Sequence, residues 1–501
     1  MLACIPTASL FGVDADPVTI EVQVHTGLPC TTVVGGPDST CREAKERVRA
    51  AFASCSFEWP NKRVTINLSP AWQKKRGSAI DLAMAVGILL ASEQLKPEMV
   101  AGFAFLGELG LDGTVHPVVG VVPLAEAAGG DPLVVPAAQV VDAELASDRV
   151  MGVGHLADLI KALKGEAPWP LPPGPGPGHR RLPGPDLADV RGQHMARAAL
   201  EVAAAGGHHL LLTGPPGGGK TMLAERLAGL LPPLSPTEAL EVTKIHSAAG
   251  VLGVGRGLID DPPYEAPHTT ASAVALIGGG SSQLRPGAIS LAHRGVLFLD
   301  ELGEQRPVVL DCLRQPLEEG VIRIHRAVGQ ATLPARFLLV AAMNPCPCGE
   351  GGGHRCRCQP GERMRYSRRL SGPLLDRFDL RLHVPRADPA ELLGEAGGEP
   401  SAAVAARVAA ARQRAVERGI SVNALVPGCR LDELAPLDRD ARRLLSGLLA
   451  KGRLSARGLH RVRRVALTLA DLEGVDPPLT EQHVGTALGL RAELETLQAA
   501  S

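Results

Sequence analysis

The sequence predicts an α/β protein built on a parallel sheet, and three observations support that prediction. Short apolar runs at residues 210–212, 296–299 and 337–342 are typical of buried parallel strands. A glycine-rich octet separates the first run from a helical pattern. Polar residues follow each of the other two runs. Because such sheets bind ligands at the carboxyl ends of their strands, we expect the three runs to build one site.

The composition excludes several classes of protein. The chain has 501 residues, which predicts two to four domains, and a net charge of −1, so any DNA contact must come from local basic patches. Aromatic residues make up only 3%, which argues against a face that binds by base stacking. No apolar run approaches the roughly 20 residues that span a bilayer, and the N-terminus lacks the charged region of a signal peptide. Four of the ten cysteines lie between residues 346 and 358, which favours a cytoplasmic protein over a disulfide scaffold.

We divide the chain into an α+β domain (1–164), a Pro/Gly-rich linker (165–186), an α/β core that contains the octet (187–386) and a helical lid (387–501). In the first domain the patterns predict strands at 18–24 and 64–68, helices at 39–52 and 79–90, and a hairpin formed by 106–109 and 113–118. In the lid they predict amphipathic helices at 402–418, 438–450, 455–472 and 480–497.

Two stretches of the first domain, 75–79 and 107–117, resemble the proteolytic domain of Lon-type proteases and its ribosomal-protein-like fold. Such proteases pair a serine with a lysine base. Ser78 lies near the serine position, but Val122 stands where the lysine is expected. The resemblance therefore implies a non-proteolytic relative that serves as a platform for a substrate or partner. Alternatively, Ser78 is simply the N-cap of the helix predicted to start at Ala79.

The glycine-rich octet has the G-x-x-x-x-G-K-[ST] pattern in the strand–loop–helix context that forms a phosphate cradle. Its residues are Gly214, Pro215, Pro216, Gly217, Gly218, Gly219, Lys220 and Thr221. We expect Lys220 to reach the β- and γ-phosphates of ATP and the Thr221 hydroxyl to hold Mg²⁺. The alternative is an ordinary turn in a glycine-rich protein.

Two further groups complete the predicted site. Asp300 and Glu301 follow the second apolar run, so Asp300 is the expected Mg²⁺ ligand and Glu301 the base that polarises the attacking water. Asn344 follows the third run and is expected to orient the water or sense the γ-phosphate, unless it only forms a turn before Pro345. Between these runs, 320–326 and 330–333 predict a hairpin that carries basic residues.

Four thiols lie within thirteen residues: Cys346, Cys348, Cys356 and Cys358. A chain that folds back on itself would place them as a tetrahedral S₄ site, which suits Zn²⁺. The C-x-C spacing is tighter than the usual zinc knuckle, so free thiols in a glycine-rich loop and a redox pair remain as alternatives.

Two arginines are candidates for contacts with the nucleotide. Arg377 is the candidate arginine finger for a neighbouring subunit, the alternative being an ion pair with Asp376 or Asp379. Arg457 lies near the start of a lid helix with Ser455 as its expected N-cap, and could reach the nucleotide from the lid.

Together these motifs resemble the magnesium-chelatase-like branch of the AAA+ ATPases. Residues 263–272, 285–287 and 343–349, with the Lon-like first domain, narrow the resemblance to the ComM/YifB family. The resemblance implies ATP hydrolysis with Mg²⁺ and a hexameric ring. It also implies that Arg377 contacts the nucleotide of a neighbouring subunit and that Arg457 contacts the nucleotide from the lid. The family includes helicases that promote branch migration during uptake of transforming DNA. One departure is Glu265, where the family usually has arginine.

Three functions follow as hypotheses. The first is an ATP-driven hexameric DNA motor in recombination of incoming DNA, with DNA and recombination proteins as partners and no membrane contact. The second is a chelatase- or chaperone-like ATPase that remodels a protein partner. The third is an inactive protease module with a regulatory nucleotide switch, against which Glu301 argues.

Overall fold

The computed structural model describes residues 2–72, 74–170, 184–280, 284–326, 329–351, 356–370, 372–393 and 398–491. Most of the predicted linker, residues 171–183, lies outside the described residues. The described start of that linker packs on the first domain, because Trp169 stacks on Phe103 with 5.6 Å between ring centroids. No helix in the described ranges is both long and apolar enough to cross a membrane.

The first domain is α+β, as predicted. Its strands are β1 (Leu2–Phe11), β2 (Asp14–His25), β3 (Cys30–Val34), β4 (Arg63–Ser69), β5 (Ala104–Phe105), β6 (Glu108–Leu109), β7 (Val115–His116), β8 (Leu133–Pro136) and β9 (Val150–Val153). Its helices are α1 (Ser39–Ser54), α2 (Asp81–Ala91), α3 (Val121–Ala127), α4 (Val140–Ala143) and α5 (Leu156–Leu163). The main sheet has the order β1-β2-β4-β3, and its alternating apolar residues bury one face against α1 and α2. Both predicted strands, the helix at 39–52 and the β6–β7 hairpin are confirmed.

One local prediction in this domain is wrong. Ser78 does not cap α2, because that helix begins at Asp81 and Ile80 occupies its N-cap position. The Ser78 hydroxyl instead donates to the carboxylate of Glu108 on β6. Asp81 is fully buried and paired with Arg47 at 2.6 Å, so the start of α2 is fixed by that ion pair.

The second part of the chain is an α/β layer structure around a parallel sheet. Its strands are β10 (Leu210–Thr213), β11 (Tyr264–Glu265), β12 (Gly278–Gly279), β13 (Arg285–Pro286), β14 (Val296–Leu299), β15 (Val321–Arg326), β16 (Gly329–Pro334), β17 (Leu338–Met343) and β18 (Leu380–His383). Its helices are α6 (His194–Gly206), α7 (Lys220–Leu227), α8 (Pro236–Ala249), α9 (Ala273–Ile277), α10 (Ala288–Leu291), α11 (Pro307–Asp311), α12 (Arg314–Glu319), α13 (Pro360–Ser367) and α14 (Gly372–Leu375). The predicted hairpin is confirmed as the antiparallel pair β15–β16.

The five-stranded sheet has the order β11-β14-β17-β10-β18, and every neighbouring pair is parallel. Its central strands are buried on both faces. On β14, Val296 and Phe298 join the apolar cluster on one side, while Leu297 and Leu299 join the cluster on the other. This two-sided burial explains why the three runs read as continuous apolar sequence rather than alternating sequence. The carboxyl ends of β10, β14 and β17 therefore lie at one edge.

The C-terminal part is helical. Its helices are α15 (Pro389–Leu393), α16 (Ser401–Glu417), α17 (Leu431–Leu434), α18 (Arg439–Ala450), α19 (Ala456–Glu473) and α20 (Glu481–Gly489). Three predicted helices match α16, α18 and α19, and Ser455 caps α19 as expected. The last predicted helix begins as expected with α20, which ends at Gly489, and residues 492–497 of that prediction lie outside the described residues. Helices α16 and α19 pack on α6, so this part shares an apolar core with the sheet.

The first domain docks on the α/β core through a buried carboxylate. The two oxygens of Asp142 each accept a backbone N–H, from Gly255 and Gly257, at 2.8 Å. Nearby, the backbone N–H of Gly120 donates to Ser247 of α8, and Lys244 pairs with Glu126 at 2.6 Å. The two parts are therefore joined by directed polar contacts in addition to the linker.

Replacing this carboxylate tests the docking contact. Asp142→Ala leaves two N–H groups without their acceptor, so we expect a loss of about 2–3 kcal/mol in the free energy of unfolding. The measurement is urea denaturation followed by circular dichroism. The control is Asp148→Ala, which removes an exposed carboxylate close by in sequence. Equal stability of the two variants would contradict a docking role for Asp142.

Candidate nucleotide-binding site

The octet at residues 214–221 forms a loop between β10 and α7, as the pattern predicts. Gly219 has φ 84°, a left-handed conformation, and a Cβ at Gly214 would lie 2.0 Å from the carbonyl oxygen of Val384. Both positions therefore require glycine. The loop ends at the first residue of α7, where free backbone N–H groups and the helix dipole favour an anion.

Lys220 is buried and joins two strand ends. Its ammonium group donates to the carbonyl oxygens of Gly214 at 2.8 Å and Pro215 at 2.9 Å, and to Oδ1 of Asn344 at 3.2 Å. Burial lowers the pKa of Lys220, which the carboxylate of Asp300 opposes. Asn344 thus makes a side-chain contact across the sheet, which a turn former before proline would not require.

Thr221 and Asp300 also meet. The Thr221 hydroxyl donates to Oδ2 of Asp300 at 2.8 Å, and Oδ1 of Asp300 accepts the backbone N–H of Glu301 at 2.8 Å. A hydroxyl and a carboxylate in contact are oxygen ligands of the kind Mg²⁺ prefers. These residues fit the ion, and they lie beside the phosphate loop.

Glu301 has an unusual backbone. Its φ and ψ are 48° and 44°, the left-handed region, which is uncommon for residues other than glycine, asparagine and aspartate. Such a conformation costs on the order of 1–3 kcal/mol and is found most often at functional sites. Glu301 is the N-cap residue of a 3₁₀ turn at Leu302–Glu304, and it is an exposed residue that directly follows Asp300 in the chain.

The two candidate arginines lie near each other, and among the described residues neither makes a hydrogen bond or ion pair with this cluster. Arg377 pairs with Glu318 of α12, so neither predicted partner, Asp376 or Asp379, is correct. Burial, with Arg461 and Arg457 nearby, lowers the pKa of Arg377. Among the described residues, Arg457 has no hydrogen bond or ion pair to the phosphate loop, and its side chain is exposed.

A buried network links Arg377 to the lid. Asp379 contacts His208 at 3.2 Å and Arg461 at 2.6 Å, and Arg461 also donates to the carbonyl oxygen of Arg377 at 2.9 Å. Burial raises the pKa of Asp379, but the contacts with His208 and Arg461 outweigh burial and hold this pKa below its ordinary value. His208 in turn contacts Thr468 of α19 at 2.8 Å. Sequence reasoning considered Asp379 only as a partner of Arg377, because its true partners are distant in the chain.

Gln193 is another residue that the sequence did not indicate. It has φ 52°, and its side-chain amide donates to the carbonyl oxygens of Pro385 at 2.7 Å and of Gly218 at 3.4 Å. It therefore connects the start of α6 to the phosphate loop. Nothing in its local sequence distinguishes this glutamine from other polar residues that precede a helix.

The four predicted thiols come together. Their sulfur atoms lie within 4.8 Å of one another, with 3.4 Å between those of Cys346 and Cys348 and 3.5 Å between those of Cys348 and Cys356. Tetrahedral zinc with Zn–S distances of about 2.3 Å requires S–S distances of about 3.8 Å. Backbone N–H groups of Glu350 and Arg357 lower the pKa of Cys348 to about 6, whereas burial raises the pKa of Cys346. Since a metal ion would stabilise all four as thiolates, the cluster fits Zn²⁺.

The departure at Glu265 lies on the edge strand β11, which pairs with β14. Burial raises the pKa of Glu265. In the first domain, Val122, which stands where the resemblance leads us to expect a lysine, is fully buried in α3. Among the described residues, the Ser78 hydroxyl donates to the carboxylate of Glu108 and contacts no lysine.

The fold and the cluster of Lys220, Thr221, Asp300 and Asn344 define a P-loop protein of the magnesium-chelatase-like type. Three family descriptions match in order: "Magnesium chelatase, subunit ChlI" at residues 186–392, "Subunit ChlI of Mg-chelatase" at 20–139, and "Magnesium chelatase, subunit ChlI C-terminal" at 398–491. This assignment supports an ATPase.

Full-length relatives place the chain more closely. Competence protein ComM of Haemophilus influenzae is 42% identical over 510 residues, which cover 99% of both chains. YifB of Salmonella typhimurium, described as uncharacterised, is 42% identical over 98% of this chain and 97% of its own. An uncharacterised protein of Mycobacterium tuberculosis is 46% identical over 96% of both chains. The chain belongs to the ComM/YifB family of Mg-chelatase-like proteins.

Proposed function

We propose that this chain is an ATP-hydrolysing AAA+ motor that acts as a cytoplasmic hexameric ring on DNA, in recombination during natural transformation. The observation that carries the ATPase is the convergence of three strand ends, in which Thr221 contacts Asp300 and Lys220 contacts Asn344. The relationship to competence protein ComM supports the biological setting.

The residues divide the chemistry among them. The phosphate loop and Lys220 hold the triphosphate, and Mg²⁺, held by Thr221 and Asp300, would offset charge on the β- and γ-phosphates. Glu301 accepts a proton from the attacking water, and Asn344 orients that water against the γ-phosphate. In this proposal the left-handed backbone at Glu301 presents its carboxylate to the cradle before the substrate binds.

A neighbouring subunit supplies the remaining charge in this proposal. Arg377 and Arg457 lie near each other and, among the described residues, make no hydrogen bond or ion pair with the phosphate loop of their own chain. Arg461, which is itself paired with Asp379, donates to the backbone of Arg377. In a ring, Arg377 leaves Glu318 and reaches the γ-phosphate of the adjacent site. Arg457 assists from the lid.

Glu301→Gln tests the assigned base. The substitution keeps the size and the hydrogen-bonding capacity of the side chain but removes its basicity, so we expect ATP binding to change little and turnover to fall at least about 100-fold. The measurements are fluorescent ATP-analogue binding and phosphate release. The control is Asp311→Asn, which makes the same acid-to-amide change at an exposed residue of α11. Unchanged turnover in the Gln variant would refute the role of Glu301.

For DNA contact we propose the β15–β16 hairpin. Buried and exposed residues alternate along β15: Ile322 and Ile324 are buried, and Arg323 and His325 lie on the exposed face of the hairpin. Arg323 is half-exposed and pairs with Glu319 in the same chain. In a ring this face would line the pore and follow phosphates rather than read bases.

Hairpin substitution tests the DNA role. We expect the double variant Arg323→Ala, His325→Ala to lower DNA stimulation of ATPase activity at least about threefold. The slope of log binding constant against log salt concentration should fall by about 1, which corresponds to the loss of one phosphate contact. Basal turnover should stay near that of wild type. Arg439→Ala, which removes an exposed arginine of the C-terminal helices, is the control. Stimulation by a protein partner and by no form of DNA would favour a chelatase- or chaperone-like remodeller instead.

We further propose that the first domain is a non-proteolytic Lon-like domain that presents partners, such as recombination proteins, to the motor. The buried Val122 supports this, because a Ser–Lys dyad would need an amine at that position. The docking of Asp142 supports a domain that is held on the core.

The cysteine cluster (Cys346, Cys348, Cys356 and Cys358) is proposed to hold Zn²⁺, because its sulfur spacing fits a tetrahedral site. We expect purified protein to contain about one zinc ion per chain by mass spectrometry of the metal. Cys348→Ser should lose most of it, whereas Cys429→Ser, at an exposed cysteine outside the cluster, should keep it. A wild-type protein without zinc would remove this proposal.

A further inference from the structure

The cysteine cluster is joined at one end to the phosphate-binding side of the site. Cys346 follows Asn344 by two residues, and Asn344 accepts a hydrogen bond from Lys220. Gly349, within the cluster segment, packs against the phosphate loop so closely that a Cβ there would lie 2.3 Å from Cδ of Pro216. The backbone N–H of Gly351 donates to the sulfur of Cys346 at 3.2 Å, which fixes the segment around that thiol.

At its other end the cluster leads into the side of the site that carries Glu301. Cys358 precedes α13 by two residues, and α13 carries the buried Tyr366. The ring of Tyr366 lies against Gly303, where a Cβ would be 2.3 Å from the tyrosine oxygen. Arg369, just after the helix, donates to the carbonyl oxygen of Gly303 at 3.1 Å and to the carboxylate of Glu304 at 2.7 Å.

These contacts converge on the turn that follows Glu301, the residue with the left-handed backbone. Gly303 and Glu304 belong to the 3₁₀ turn that Glu301 begins, and the backbone N–H of Glu304 donates to the carbonyl oxygen of Glu301 at 2.7 Å. A left-handed glutamate persists only where its surroundings hold it. Within the described residues, Tyr366 and Arg369 are the side chains of the α13 region that contact this turn.

We propose that a metal ion in the cysteine cluster clamps the two sides of the nucleotide site together, and that Tyr366 and Arg369 are positioning residues that hold the turn of Glu301. The clamp rests on the ATPase and zinc assignments proposed above. Metal binding fixes Cys358 relative to Cys346, and so fixes α13 relative to the phosphate loop. Without the metal the turn relaxes, Glu301 leaves its position, and turnover falls while the phosphate loop still binds ATP.

The first experiment uses the full-length protein before and after zinc removal with phenanthroline, followed by exchange into Mg²⁺ buffer. We expect kcat to fall at least about fivefold, the Kd for a fluorescent ATP analogue to change less than about twofold, and added zinc to restore kcat. A zinc-free, folded protein with unchanged kcat would overturn the clamp, as would wild-type protein that carries no metal.

The second experiment leaves the metal in place and remains decisive if the metal-free chain unfolds. Arg369→Ala should lower kcat about three- to tenfold with little change in KM and a full zinc content, and Arg369→Lys should recover part of the loss. Arg368→Ala removes the neighbouring exposed arginine and is the matched control. Equal kcat in the Arg369→Ala and Arg368→Ala variants would overturn the clamp. Zinc-loaded wild type with no ATP turnover would refute the proposed ATPase itself, which is a separate result.

Discussion

The hydrogen bond between Thr221 and Asp300, with that between Lys220 and Asn344, is the constraint on which the rest of the site depends. The two contacts tie the ends of three parallel strands to one loop. They require β10 to lie beside β17, and β14 to lie one strand further, which is the observed order. The apolar residues on both faces of these strands hold the sheet rigid, so the polar groups at its edge have little freedom.

A second set of contacts organises the opposite side of the core. Asp379, His208 and Thr468 form a buried chain from the strand β18 to the lid helix α19. Arg461 and Thr468 belong to the lid helix α19, so separating lid from core would remove Arg461 from Asp379 and Thr468 from His208. Arg461 adds the backbone of Arg377 to the same network. The orientation of the lid and that of the candidate finger are thus coupled through one carboxylate.

Much of this arrangement was predictable from sequence, because it rests on local patterns. Strand runs, the phosphate loop, the helix cap at Ser455 and the grouping of the four thiols all leave short-range signals. The predicted ion-pair partners of Arg377 and the predicted cap role of Ser78 were wrong. A single charged group or hydroxyl takes a partner that is set by packing between elements distant in the chain. The same reason hid Gln193 and Arg369, which act across 25 and 66 residues of sequence.

The left-handed backbone at Glu301 bears on how the chain tolerates change. Glycine or asparagine would adopt that conformation at lower cost, so glutamate persists there despite a penalty to folding. Selection for heat resistance and selection for turnover would therefore favour different residues at this position. Laboratory evolution for higher thermal stability is expected to replace the proposed base, Glu301, well before it alters the core packing.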